Sequence, residues 1–178
     1  MTVKDHLKLS GVMAGAALPW LRKDVWIPLT SSVLVDVDHY LWHSVAHRTL
    51  SLRAATRYFG RANPRQPAQS RLLHHPLLIG AVIIAAAASR SRALRLITSG
   101  VLFHVSLDLF HVRQTARLKR SLIGSAQGVC ESCRRRDGAL ELHTLRFAGN
   151  PLVKYRPRNF TVLCSSCHER AHDEALAL

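Results

Sequence analysis

The sequence predicts a mainly α protein: a four-helix, membrane-embedded bundle followed by a small, zinc-stabilised ββα module. Three observations lead there. Up to about Ser125 the chain is rich in Ala, Leu, Val and Ile, has no cysteine, and confines its charges largely to short Arg-rich stretches. All four cysteines then fall in two pairs, Cys130-x2-Cys133 and Cys164-x2-Cys167. Between and after these pairs lie two short strand-like segments and one helical one.

The apolar segments run from about Leu7 to Leu21, Val25 to Trp42, Leu72 to Ser89 and Leu94 to Val112. A spanning helix needs about 20 mostly apolar residues, and the charge-free run between Arg71 and Arg90 comes nearest. Trp20, Trp26 and Trp42 lie near segment ends, where an interfacial belt would place them. Gly11 and Gly15 have the spacing of a helix-packing motif. If the four segments run up and down, most Lys and Arg residues gather on one side with both termini. That asymmetry predicts cytoplasmic termini. The Arg48 to Arg71 stretch reads as a membrane-surface loop or linker. Gly124 to Gly128 reads as a flexible joint, dividing the chain into 1–124 and 125–178.

Ionisable residues punctuate the apolar segments. His104, Asp108 and His111 are spaced i, i+4, i+7, and Asp36, His39 and His43 are spaced i, i+3, i+7, so each set shares one helical face. With Asp38, the His74-His75 pair and His6, they gather at one end of an up-and-down bundle. Mixed imidazole and carboxylate donors suit Zn²⁺, Mn²⁺ or Fe. Taken singly, any of these histidines reads as a satisfied core residue; the set together reads as a metal centre.

VLVDVDHYLW, the His74-His75 pair before an apolar run, and GVLFHVSLDLFH resemble the motifs of a family of small, membrane-bound, LexA-regulated, metal-dependent hydrolases of the bacterial inner membrane. The resemblance covers about Met1 to Val112 and implies Asp36, Asp38, His39, His75, His104 and Asp108 as metal ligands. A divalent metal there would activate water, so no nucleophilic side chain is needed. No Gly-x-Ser-x-Gly elbow, phosphate loop or dinucleotide fingerprint is present, which argues against serine hydrolases, NTPases and Rossmann oxidoreductases.

In the last third, four thiolates at this spacing close one tetrahedral zinc shell; a secreted disulfide scaffold would spread its cysteines and carry a cleavable signal. Leu140 to Leu145 and Asn159 to Leu163 read as strands, and Ser165 to Leu176 as a helix with His168 and His172 at i, i+4. Val129 to His172, above all NFTVLCSSCHERAH, resembles the zinc-ribbon HNH endonucleases. That resemblance implies His143 and His168 as ligands of a second divalent metal (Zn²⁺, Mn²⁺ or Mg²⁺), His172 as a further ligand or phosphate contact, and Asn159 as the residue that orients the site. Thr144 stands where the family has its general-base histidine, and a hydroxyl cannot take that proton at neutral pH. Phosphodiester cleavage and non-catalytic binding of nucleic acid therefore both remain open readings. So does hydrolysis of a lipid phosphoester in the bundle with a regulatory zinc module.

The net charge of +14 and pI near 11 predict an anionic partner. Arg134, Arg135, Arg136, Lys154, Arg156 and Arg158 surround the module's site and favour nucleic acid, DNA over RNA. Anionic lipids suit the bundle. The predicted location is the inner membrane with cytoplasmic termini, the alternative being the cytoplasm.

Overall fold

The computed structural model describes residues 3–59, 67–136, 139–145 and 153–176, without the side chains of Val3 and residues 172–176. The fold is mainly helical with one small antiparallel sheet, and the chain divides into two compact units, Met1–Leu109 and Phe110–Leu178.

The first unit opens with α1 (Val3–Leu21), a 3-10 turn (Arg22–Val25) and α2 (Trp26–Leu34). The chain breaks at Val35 and Asp36 before α3 (Val37–Ala46). The single helix predicted over Val25 to Trp42 is thus two. Asp36 takes the N-cap position of α3 with φ −75° and ψ 0°, and its carboxylate makes no cap hydrogen bond to the helix. A further helix, α4 (Leu52–Phe59), lies in the stretch predicted as a surface loop or linker. Its Ala55 is buried, and Tyr58 and Phe59 lay their rings against Trp42 of α3 at 6.0 and 6.2 Å. Trp42 therefore joins an aromatic cluster, whereas Trp20 and Trp26 are exposed.

A 3-10 segment (Ala68–His74) leads into α5 (Pro76–Ala88). Pro76 occupies the first turn, where its missing N–H costs nothing, and His75 Nδ1 accepts from Leu77 N at 3.3 Å as the cap. Then α6 (Arg92–Ser125) runs 34 residues, well past the predicted end at Val112, and the boundary between the two units falls within it. The stretches Ala68–Ala88 and Arg92–Ser125 are each long and apolar enough to cross a membrane.

Burial in the first unit is inverted relative to an ordinary core. Among the described residues its buried side chains include Asp5, His6, Ser10, Ser32, Asp38, His43, Ser70, Thr98 and His104, while the buried apolar ones are Ala14, Val25, Val35, Ala55 and Ala86. Leu7, Val12, Leu18, Val45, Leu77 and Ile84 are exposed. Small polar contacts join the helices instead. Ser10 of α1 meets Ser32 of α2 at 2.8 Å, and Ser31 Oγ donates to Pro28 O and Ile97 O at 3.2 and 3.1 Å.

Gly100 lets α6 approach α2. A Cβ added there would lie 2.3 Å from Pro28 O and 2.1 Å from Ser31 Oγ, and the carbonyl cannot swing away as a side chain can. Gly100→Ala is expected to destabilise the unit by about 1–3 kcal/mol, read as a lowered thermal midpoint. Gly11 and Gly15, predicted to pack helices, have nothing within 4 Å of their built Cβ positions. Their spacing is not used within this fold.

In the second unit, β1 (Leu140–Thr144) pairs antiparallel with β2 (Phe160–Cys164), and α7 (Ser165–Leu176) follows directly. These bounds match the strand and helix patterns of the sequence. The register sets His143 opposite Thr161 and Thr144 opposite Phe160. A small core of Cys130, Leu163, Cys164 and Cys167, with Leu140 and Ala171 against it, ties sheet to helix.

Candidate metal centre

Three donors meet inside the first unit. His74 Nε2 and His104 Nε2 are 3.0 Å apart, and Asp36 Oδ1 lies 3.6 Å from the first and 3.5 Å from the second. A tetrahedral zinc shell with donors at 2.0–2.1 Å has edges of roughly 3.3–3.4 Å, so the triad has the dimensions of one face of such a shell. Asp108 Oδ2 lies 3.7 Å from His74 Nε2 and 3.6 Å from His104 Nε2.

The hydrogen bonds fix what these atoms offer. His104 Nδ1 is 2.7 Å from Ser32 O, a carbonyl that can only accept, so Nδ1 carries the proton and Nε2 presents a lone pair. His74 Nδ1 lies 3.3 Å from Asp38 Oδ2, which assigns its tautomer in the same way. Two imidazole nitrogens and a carboxylate oxygen thus converge, with the Nδ1 atoms already engaged behind them. In neutral histidines both Nε2 atoms are acceptors, and either a shared proton or a metal cation satisfies the three. A divalent metal fits this donor set, and the backbone carbonyl and carboxylate behind the imidazoles are the partners that metal-bound histidines usually have.

Around this face two further triads overlap, His6 with His104 and Asp108, and Asp38 with His39 and His74. His6, buried on α1, stacks on His104 at 4.1 Å between centroids and reaches Asp108 Oδ1 with Nε2 at 3.1 Å. Asp38 is already engaged, accepting from His39 N at 2.7 Å and Leu73 N at 2.9 Å. His39 Nδ1 contacts Ser70 O, and its Nε2 lies 3.7 Å from Asp36 Oδ1.

His75, expected as a ligand, stands outside the cluster and His74 stands within it. The chain is extended at His75, with φ −67° and ψ 128°, so neighbouring side chains diverge, and the imidazole caps α5 instead. His75→Ala is expected to cost about 1 kcal/mol as a lost cap and to leave metal content unchanged, whereas His74→Ala empties the site; metal analysis of the two variants separates them. His43 lies elsewhere too. It is buried one turn beyond His39 and packs against His47 and Tyr58 at 4.5 and 5.3 Å. His111 belongs to the second unit, where its Nδ1 meets Tyr155 Oη at 2.5 Å.

Comparison with protein-family models, with curated proteins and with solved structures finds no match.

In the second unit Cys130, Cys133, Cys164 and Cys167 bring their sulfurs within 4.8 Å of one another, and Cys133 and Cys164 are 3.7 Å apart. A tetrahedral thiolate shell with Zn–S near 2.3 Å has edges of about 3.8 Å, so the cluster fits zinc. Burial opposes ionisation of Cys130, but the backbone N–H groups of Cys133, Cys164 and Ser132 outweigh it and hold the thiol down at about 6. The Arg135 backbone N–H favours the thiolate of Cys133, yet burial and the sulfurs of Cys130, Cys167 and Cys164 push it up to about 11. Arg170 donates to Cys167 Sγ at 3.0 Å, a cation placed to offset thiolate charge.

The HNH-like residues come together only in part. His143 and His168 meet edge to face with centroids 5.2 Å apart, but His168 Nδ1 is paired with Glu141 Oε2 at 2.8 Å. Asn159 is buried and donates to Val153 O and Lys154 O at 2.9 and 3.3 Å, pinning the turn into β2. Among the described residues no third donor joins His143 and His168 at metal-binding separation. The side chain of His172, predicted as a ligand, lies outside the described residues. Arg134, Arg135, Arg136, Arg156 and Arg158 are exposed, and Lys154 is half-buried.

Proposed function

We propose that the chain is a membrane-associated, metal-dependent phosphoester hydrolase whose reaction centre is the His/Asp cluster of the first unit, and whose zinc-held ββα module binds nucleic acid. The observation that carries this reading is the convergence of His74 Nε2, His104 Nε2 and Asp36 Oδ1 at separations that match one face of a zinc shell.

A divalent metal bound there supplies Lewis acidity and brings the pKa of a water towards neutrality. Asp36, His74 and His104 would hold it, while Ser32 O and Asp38 fix the imidazole orientations. Asp108 borders the same face and is more exposed than the histidines, which marks the side from which an ester arrives. The His6–Asp108 pair would position a water at this face. As the water oxygen bonds to phosphorus the ester P–O bond would break, with the water's proton passing to the departing oxygen. Membrane association is supported by the exposed apolar side chains, the polar interior and two stretches of spanning length. The excess of Lys and Arg on one side supports cytoplasmic termini at an inner membrane.

For the second unit, binding without cutting is favoured by Thr144 in the base position and by the engagement of His168 with Glu141. The nearness of His143 to His168 favours the nuclease reading. One experiment addresses both units. Purified full-length protein, with Mn²⁺, Zn²⁺ or Mg²⁺, is assayed on bis-p-nitrophenyl phosphate and on supercoiled plasmid, with His104→Ala and His143→Ala variants. Ester hydrolysis lost with His104→Ala alone supports the proposal. Plasmid nicking lost with His143→Ala alone moves phosphodiester chemistry to the module, and no hydrolysis by the parent protein sinks the enzyme reading.

A further inference from the structure

Beside the metal cluster the first unit holds a cavity of about 600 Å³, within the range of roughly 300–1,000 Å³ typical of small-molecule sites. Its walls come from α2, α5, α6 and the 3-10 segment, and they are aliphatic: Val35, Leu73, Ile79, Val82, Ile97 and Val101 set its character. Ser31 also lines it, but its hydroxyl is turned to Pro28 O and Ile97 O and offers an occupant little. A sugar or a nucleotide would find few partners there.

The position of the cavity is as informative as its lining. Val35 immediately precedes Asp36, Leu73 immediately precedes His74, and Val101 is three residues before His104 on α6. Three wall residues are thus covalently next to, or one turn from, the three donors that converge. An apolar body in the cavity would therefore lie about one residue's length from the converging side chains. Leu73, Ile79 and Val82 also belong to Ala68–Ala88, a stretch able to cross a membrane, so the bilayer is the source at hand. The chain's net charge of +14 complements an anionic headgroup.

We propose that this cavity is the acyl-chain subsite for an anionic membrane phospholipid, seated so that the phosphoester of its headgroup reaches Asp36, His74 and His104. The substrate class is a lipid phosphoester, and this rests on the hydrolase reading above. Ile79, Val82 and Ile97 are specificity residues for the chain, since they border the cavity without contributing a donor to the cluster.

The test uses phosphatidic acid with a diazirine at the middle of one acyl chain, incorporated with full-length protein into nanodiscs, in metal-free and Mn²⁺-loaded forms. After irradiation, adducts mapped by mass spectrometry are expected on Val82, Ile97 and Val101 in both forms. Val82→Trp, and Ile97→Trp from the opposite wall, are each expected to lower adduct yield at least tenfold while keeping the parent's metal content, which shows that the bundle is folded. Adducts confined to outward residues such as Val12 and Ile84, or an undiminished yield in both Trp variants, overturn the subsite even if bis-p-nitrophenyl phosphate is still hydrolysed. Adducts in the cavity without hydrolysis of any phosphoester leave the chain subsite standing and remove its catalytic role.

Discussion

His74→Ala and His104→Ala are each expected to strip the first unit of its divalent metal while leaving the cysteine-bound zinc in place. Each removes one of the two imidazoles that meet at 3.0 Å, and the triad left intact, His6–His104–Asp108 or Asp38–His39–His74, is already tied up in contacts of its own. Metal analysis by mass spectrometry should show the loss directly. Phosphoester hydrolysis should fall by on the order of a thousandfold, because Lewis-acid stabilisation is worth several kcal/mol and each 1.4 kcal/mol is a factor of ten. Asp38→Asn provides the graded case. It keeps the size of the side chain that His74 Nδ1 faces but removes its charge, and a loss of about 10–100-fold in metal affinity is expected. If His104→Ala retained the parent's metal content and activity, the reaction centre would lie elsewhere.

Cys130→Ser and Cys164→Ser should unfold the second unit. The sheet has two strands of five residues each, and its core consists largely of the cysteines themselves, so little apolar burial remains once zinc is lost. Binding energies of about 10–16 kcal/mol for structural zinc at neutral pH show how much folding free energy can reside in such a site. Strand signals in hydrogen exchange should vanish in either variant and in chelator-treated protein. Acid should act the same way. The folded-state pKa of Cys130, about 6, lies below the ordinary thiol value of 9.0, so its stabilising contribution is fully present above 9 and is lost as pH falls through 6, while Cys133, pushed up, offsets part of it. Zinc competes with protons for the same sulfurs, so acid should release it. Retention of both strands after zinc removal would show that the unit folds on apolar contacts alone.

What the sequence made legible follows from the range of the physics involved. The CxxC pairs, the two strands and α7 were readable because local spacing dictates them. The nearness of His104 to Asp108 was readable because an i, i+4 pair shares a helical face wherever the helix packs, and that of Asp36 to His104 because an up-and-down order of segments brings them to one end. The choice between His74 and His75 was not, since it depends on one extended backbone pair at the mouth of α5. The break between α2 and α3 was hidden because no Gly or Pro marks the chain near Val35 and Asp36, and α4 was hidden by the Arg residues around it. Without α4, nothing in the sequence gave His43 a partner other than the cluster. The cavity had no signal at all, because aliphatic residues that line a space read the same as those that fill one.

The cluster draws on residues from His6 to Asp108, nearly the whole length of the first unit. Its first donors leave the ribosome with nothing to face. At synthesis rates of about 5–20 residues per second, the roughly 70 residues between Asp36 and Asp108 take on the order of 4–14 seconds to appear. During that interval two aspartates and several histidines sit in an apolar nascent segment without their partners, at a cost in a low-dielectric setting. A metal taken up by this cluster would therefore bind only after α6 has been made, as a late event of assembly.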